Sequence, residues 1–400
     1  LIKAVPEDFI VQEKADLPLR QKGKYRVYLL TKSHWNTLDL IHQLSRSLGL
    51  PPEKFSYGGK KDKHGLTYQF IAVAAPGDFS QEGKNFSLTS QGFMDRPMGP
   101  DLIQGNSFTI TMRSLAGLDL LERNIEEARR SGFANFFDDQ RFRSYDPERG
   151  FFAEKILRRH WNGALQVYFT SAGPNSGKSE RHRKTALYEN WRDWPACLSQ
   201  AQDPLEKRVF GYLSDHPKAF ARALHLLPQE EISMLYAAFQ SYLWNEILRR
   251  ILKLKVEDLA EVDGMAGSYF FWSGLDEVVF SYLAGLEIPT PAARMNLPDE
   301  LVSSFYQDVL AERSLRPGLF RTKVLRKIYF RSFKRRALVI PEDLSIIDRG
   351  EDELHPDKKK MSISFFLPRG AYGTMLVKRI TFGGKHAHIW DLHDVRRKPP

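Results

Sequence analysis

A single cysteine, Cys197, in 400 residues leaves no partner for an intramolecular disulfide. A cross-linked secreted scaffold is thereby excluded, and a reducing compartment, the cytoplasm by default, is expected. Hydrophobic residues make up 42% of the chain, enough for a packed core. No apolar run, however, approaches the roughly 20 residues that cross a bilayer, so no membrane role is expected. The opening residues, Leu1-Ile2-Lys3-Ala4-Val5-Pro6-Glu7-Asp8, meet charge and proline at once and do not read as a signal peptide. Internal repeats are absent, and the one biased stretch is the short charged run at 357–360.

Ligand sets for metals are equally sparse. His386 and His388 would share one face of a strand, with His393 beyond them. No clustered cysteines or acids complete a closed zinc site there, so no metal is expected. Gly173-Pro174-Asn175-Ser176-Gly177-Lys178-Ser179 imitates a phosphate-binding loop after a strand-like run at 165–169. It has three residues between its glycines where the phosphate cradle needs four, and a highly charged run at 180–184 follows instead of a helix that could dock on a sheet. Nucleotide hydrolysis is therefore not expected.

What the chain does carry is positive charge. Its 59 basic and 49 acidic residues give a net charge of +10, which points to a nucleic-acid partner. Residues 321–336 interleave eight cations with aromatic and aliphatic residues. Such a segment can set cations against phosphates while its apolar side packs on the protein.

Four hundred residues suggest two or three domain-sized units. Residues 24–30 have strand character, and Asn36 and Thr37 offer capping chemistry to a helix that Gly49 and Pro51-Pro52 stop. Alternation over 106–112 predicts a half-buried strand, and a helix over 118–130, ended by Gly132, leads into a loop at Asn135. From about Trp161 helical patterns dominate, with one long amphipathic helix through Ile232, Phe239, Leu243 and Ile251. Strand-like segments return at 337–340 and 362–366 and are expected to rejoin the first sheet. The reading is thus an α+β protein with a discontinuous domain over 1–155 and 337–400 and a mainly helical insertion over 156–336.

Tyr57-Gly58-Gly59-Lys60-Lys61-Asp62-Lys63-His64-Gly65-Leu66-Thr67-Tyr68-Gln69 concentrates the chemistry. One carboxylate, Asp62, sits among three lysines in a glycine-flanked turn before a strand-like run. Neighbouring cations favour the charged form of an acid, so Asp62 is expected to ionise below the usual carboxylate value of about 3.9. A carboxylate so placed suits a nucleophile facing a polyanion. The same composition also suits an exposed hairpin tip, and these residues alone leave both readings open.

This stretch resembles the G-x-K-D-x-x-A-x-T-x-Q motif of the TruD family of RNA pseudouridine synthases, with Gly65 where the family usually has alanine. Four further segments match that family in order. Residues 3–13 resemble K-x-x-P-E-D-F-x-V-x-E, and 135–142 resemble N-Y-F-G-x-Q-R-F. Residues 238–245 resemble A-Y-Q-S-Y-L-F-N, and 367–374 resemble L-P-x-G-S-Y-A-T. The resemblance implies a largely antiparallel-sheet catalytic domain interrupted by an RNA-contacting insertion, tRNA as partner, no cofactor, and isomerisation of a uridine, U13 of the D arm. By position, Asp62 would be the nucleophile. Phe9, Phe137 and Tyr372 would meet the nucleotide, and Asn135 would read the uracil edge. Lys3 and Lys61 would bind phosphate or steady Asp62. Gln140, Arg141 and the 240–245 helix read as structural or RNA-facing. Asp138 and Arg143 stand where the family has glycine, which removes easy access to positive φ and adds an acid beside the expected pocket. From other classes, a non-catalytic structured-RNA-binding protein or RNA chaperone remains the alternative. A carbohydrate hydrolase would want two carboxylates across a cleft.

Overall fold

In the computed structural model, residues 1–173, 176–322, 324–325 and 328–383 are described. They form two compact units: Leu1–Phe133 with the chain from Val339 onward, and Ala134–Leu338. The first division falls at Phe133, earlier than the 155 read from sequence. Residues just beyond it pack inside the second unit: the Phe151 ring lies 5.3 Å from that of Phe239 and 5.0 Å from that of Tyr242. The three C-terminal histidines and Lys323, Arg326 and Lys327 lie outside the described residues, as do Pro174 and Asn175 of the phosphate-loop imitation.

Period-two burial builds the first unit. Its strands are β1 (Phe9–Ala15), β2 (Tyr25–Lys32), β3 (Phe55–Tyr57), β4 (Leu66–Val73), β5 (Gln81–Gly83), β6 (Phe86–Met94) and β7 (Ile103–Leu115), with helices α1 (Thr37–Leu48) and α2 (Asp119–Ser131). They make a nine-stranded sheet with Glu342–Glu351 and Lys359–Pro368. The order runs Glu342–Glu351, Lys359–Pro368, β7, β1, β4, β2, β6, β5, with β3 also on β4. Within it β1 and β4 run parallel, and the remaining pairs are antiparallel. The expected α+β class with a largely antiparallel sheet holds.

One detail of register positions the site. β3 pairs with β4 only at Ile71, Ala72 and Val73, whereas β1 pairs with β4 at Leu66, Thr67 and Tyr68. β1 thus occupies the edge of β4 that β3 leaves, and residues 58–65 are pushed out of the sheet as a loop. Beneath it, α1 lays Leu40, Ile41 and Leu44 on Tyr28, Leu30, Ile71, Val73 and Leu88. Burying each such side chain stabilises by about 1.5–3 kcal/mol. Gly49 ends α1 at φ 66°, a left-handed conformation that suits glycine.

The second unit is mainly helical around Gln229–Lys255, a 27-residue helix buried over most of its second half. Three expectations are corrected by the structure. Residues 165–169 belong to a helix, Trp161–Thr170, because a short apolar run does not by itself distinguish a buried helix from a strand. Residues 180–184 are helical too, within Lys178–Glu189. Glu180 pairs with Arg183 at 2.9 Å, and both Arg183 and Lys184 reach the buried Glu206, so the charges are internally matched. Leu338–Val339 pairs with Phe133–Ala134 apart from the large sheet. Pro341, which has no N–H to donate, separates it from Glu342–Glu351.

Candidate active site

The 58–65 loop lies close against its neighbours, and Gly58 and Gly65 allow this. A Cβ at Gly58 would stand 2.4 Å from Ile103 Cγ1, and one at Gly65 would stand 2.4 Å from the Phe9 carbonyl oxygen. Glycine at position 65 in place of the family's alanine therefore has a local cause: the start of β1 leaves no room for a methyl group.

Asp62 has both carboxylate oxygens engaged. Oδ1 accepts from the His64 N–H at 2.7 Å, and Oδ2 lies 2.6 Å from Lys3 Nζ. Lys3 holds a left-handed backbone, φ 68°, and its ammonium stands 4.0 Å above the Phe9 ring. Phe9 in turn is edge-on to Phe108 at 6.2 Å. The structure thus brings together Lys3, Phe9 and Asp62. Lys61 points elsewhere. Its ammonium donates to Asn106 Oδ1 at 2.8 Å and sits 2.7 Å from Glu13 Oε1, a contact of charge more than of directed hydrogen bonding. Glu13 Oε2 accepts from the Phe70 N–H. Lys61 therefore ties the loop to β1 and β7.

Residues given no role at the site from the sequence hold the loop from below. Lys32 is 1% exposed, and its Nζ donates to the carbonyls of Asp62 at 2.8 Å and Trp35 at 2.9 Å. Burial pushes its ammonium down to about 8, opposed by the Asp62 charge and reinforced by that of Lys61. Thr37 Oγ1 accepts from the Lys61 N–H at 3.0 Å and donates to Gln69 Oε1 at 2.9 Å. Gln69 Nε2 donates to the Gly59 carbonyl at 3.3 Å. Thr37 thus spends its hydroxyl on the loop and not on capping α1. One signal for Lys32 was available: it follows Tyr28 and Leu30 at every second position, on the face that α1 covers.

Asn135 and Phe137 belong to the second unit and are held there. Asn135 Oδ1 accepts from Arg335 Nη2 at 2.6 Å, and its Nδ2 donates to the Arg336 carbonyl. Phe137 lies edge-on to Trp244, with the Arg335 guanidinium 4.0 Å over its ring. Asn245 brackets the Phe137 main chain, donating to its carbonyl and accepting from its N–H. Gln240 donates to the carbonyls of Pro291 and Arg331, so these two residues of the long helix serve packing. Asp138 has φ −84°, an ordinary extended conformation that needs no glycine. Tyr372 is half-buried at the start of the helix Gly373–Thr381, in the first unit. Along 328–336, Ile328, Phe330 and Arg335 are buried, while Arg331, Lys334 and Arg336 are exposed.

The fold and the sequence both have counterparts among known proteins. A crystal structure from Methanosarcina mazei, described as a tRNA pseudouridine synthase D, has the same fold, with a TM-score of 0.71 at 23% identity over 95% of this chain and 92% of that one. The family model for tRNA pseudouridine synthase D matches residues 1–271. A tRNA pseudouridine synthase D from Leptospira interrogans is 30% identical over 95% of both chains, and one from Aquifex aeolicus is 28% identical over 95% of this chain and 97% of its own. The class is therefore that of RNA pseudouridine synthases, which are isomerases. Within that class, the chain belongs to the TruD family of tRNA pseudouridine synthases.

Proposed function

We propose that this protein converts one tRNA uridine, U13 of the D arm, to pseudouridine in the cytoplasm, with Asp62 as nucleophile toward a flipped-out nucleotide. The observation that carries the reading is the Asp62 carboxylate itself, aimed by the Lys3 ammonium on one oxygen and the His64 N–H on the other. The reaction breaks the C1′–N1 bond, turns the base over, joins C5 to C1′ and releases the C5 proton, while N1 gains one. Atoms and electrons balance without a redox partner, so the chemistry calls for no cofactor. A carboxylate nucleophile has precedent in other glycosyl chemistry.

The target base must leave its stack to be reached. By motif position we assign Phe9, Phe137 and Tyr372 to the nucleotide and Asn135 to the uracil edge. Asn135 keeps one donor and one acceptor position beyond those it uses internally. Lys3 steadies Asp62, and Lys61 acts through the loop. The exposed cations of 328–336 face RNA phosphate in this reading.

Unmodified tRNA incubated with wild type and Asp62→Asn, without metal or cofactor, tests the proposal by carbodiimide-dependent reverse-transcription stops. Stops at a D-arm uridine with wild type only, and RNA binding retained by the variant, are expected. Tight binding with no stops from either protein would favour a non-catalytic RNA-binding protein.

A further inference from the structure

The loop that carries Asp62 is fixed by its main chain. Three successive attachment points, the Gly59 carbonyl, the Lys61 N–H and the Asp62 carbonyl, are met by Gln69, Thr37 and Lys32. These side chains come from β4, the first residue of α1 and the last residue of β2. All three are buried, so none is placed to touch RNA. Thr67, which pairs with Lys32 across the sheet, closes the set by donating to the Lys32 carbonyl. The face under α1 is thus apolar along Tyr28, Leu30, Ile71 and Val73 and turns polar beneath the loop.

We infer that Lys32, together with Thr37 and Gln69, is the positioning apparatus of the nucleophile: it sets the height and rotation of the Asp62 main chain so that the carboxylate meets the target nucleotide. The inference rests on Asp62 being the nucleophile. A buried lysine whose ammonium is spent on two carbonyls is a poor choice for stability, because an apolar residue in the same space would avoid the desolvation cost. Burial does depress its basicity, as the placement requires. Such costs are found where a structure needs a defined geometry more than it needs stability. The Asp62 carbonyl is the closest handle on the nucleophile that a buried cation can grip without neutralising the carboxylate.

The test compares wild type, Lys32→Met, Thr37→Val, the double variant and Asp62→Asn. Single-turnover rate on unmodified tRNA, tRNA affinity and thermal midpoint are measured for each. Misplacing a reacting group by about 1 Å costs on the order of 100-fold in rate. Lys32→Met should therefore lose about 10- to 100-fold in rate with affinity unchanged. Thr37→Val should lose rate in the same way, and the double variant less than the product of the two, since both act on one loop. A folded Lys32→Met or Thr37→Val with wild-type rate would overturn the inference, as would affinity falling in step with rate. If Lys32→Met does not fold, Thr37→Val decides. Full activity in Asp62→Asn would instead overturn the nucleophile reading, and this inference with it.

Discussion

Lys32 also makes a prediction about stability that runs against the usual behaviour of charged residues. Burial lowers its ammonium from the ordinary 10.5 to about 8 in the folded protein. Below pH 8 both folded and unfolded chains carry the proton, and the folded state bears the full cost of a buried charge. Between pH 8 and 10.5 the unfolded chain binds more protons, so the stability contributed by this group rises with pH. Above 10.5 neither state is protonated and the rise ends. The shift of about 2.5 units corresponds to ~3 kcal/mol in total, of which about 2 kcal/mol appears between pH 7.5 and 10. Other lysines and tyrosines titrate in the same range, so the measurement must be a difference. Urea unfolding of wild type and Lys32→Met at both pH values isolates the term. Relative to the variant, wild type should gain about 2 kcal/mol on going to pH 10. Parallel pH dependences for the two proteins would refute the argument.

Gly65→Ala places a methyl carbon 2.4 Å from the Phe9 carbonyl; β1 or the loop must move, and a lower thermal midpoint with at least about a 10-fold slower single turnover is expected. Neutralising Arg331, Lys334 and Arg336 together removes three exposed cations. The slope of log affinity for tRNA against log salt should become shallower by about 2, whereas an unchanged slope would remove this segment from the RNA interface. Asp352 is pushed up by burial, but bonds from the Ser114 and Leu354 N–H groups, His355 and Arg113 outweigh this and hold it down to about 2. Its stabilisation is complete above the ordinary value of 3.8 and is lost as pH falls toward 2. Asp352→Asn should therefore flatten acid unfolding across that window, read by circular dichroism.

Much of this protein was legible in its sequence because local rules determine it. The α1 helix runs from Thr37 to a left-handed Gly49, α2 ends at Gly132, and β7 contains the alternating 106–112 stretch. The motif around Asp62 and four others in family order pointed to the family that the comparisons then showed. Where local rules conflict, long-range contacts decide the structure. The apolar run at 165–169 fits strand and helix alike, and only its packing among helices decided it. The charged run at 180–184 does not read as a docking helix because the partner that buries its charge, Glu206, is distant in sequence. The composition of the site is legible locally: a carboxylate, its neighbouring lysines and the glycines around them. Which cation does what is set by long-range packing. Pairing β1 beside β4 expels the loop, brings Lys3 to Asp62, turns Lys61 toward Glu13 and buries Lys32 beneath them. Those roles depend on distances between residues far apart in the chain, which no local pattern encodes.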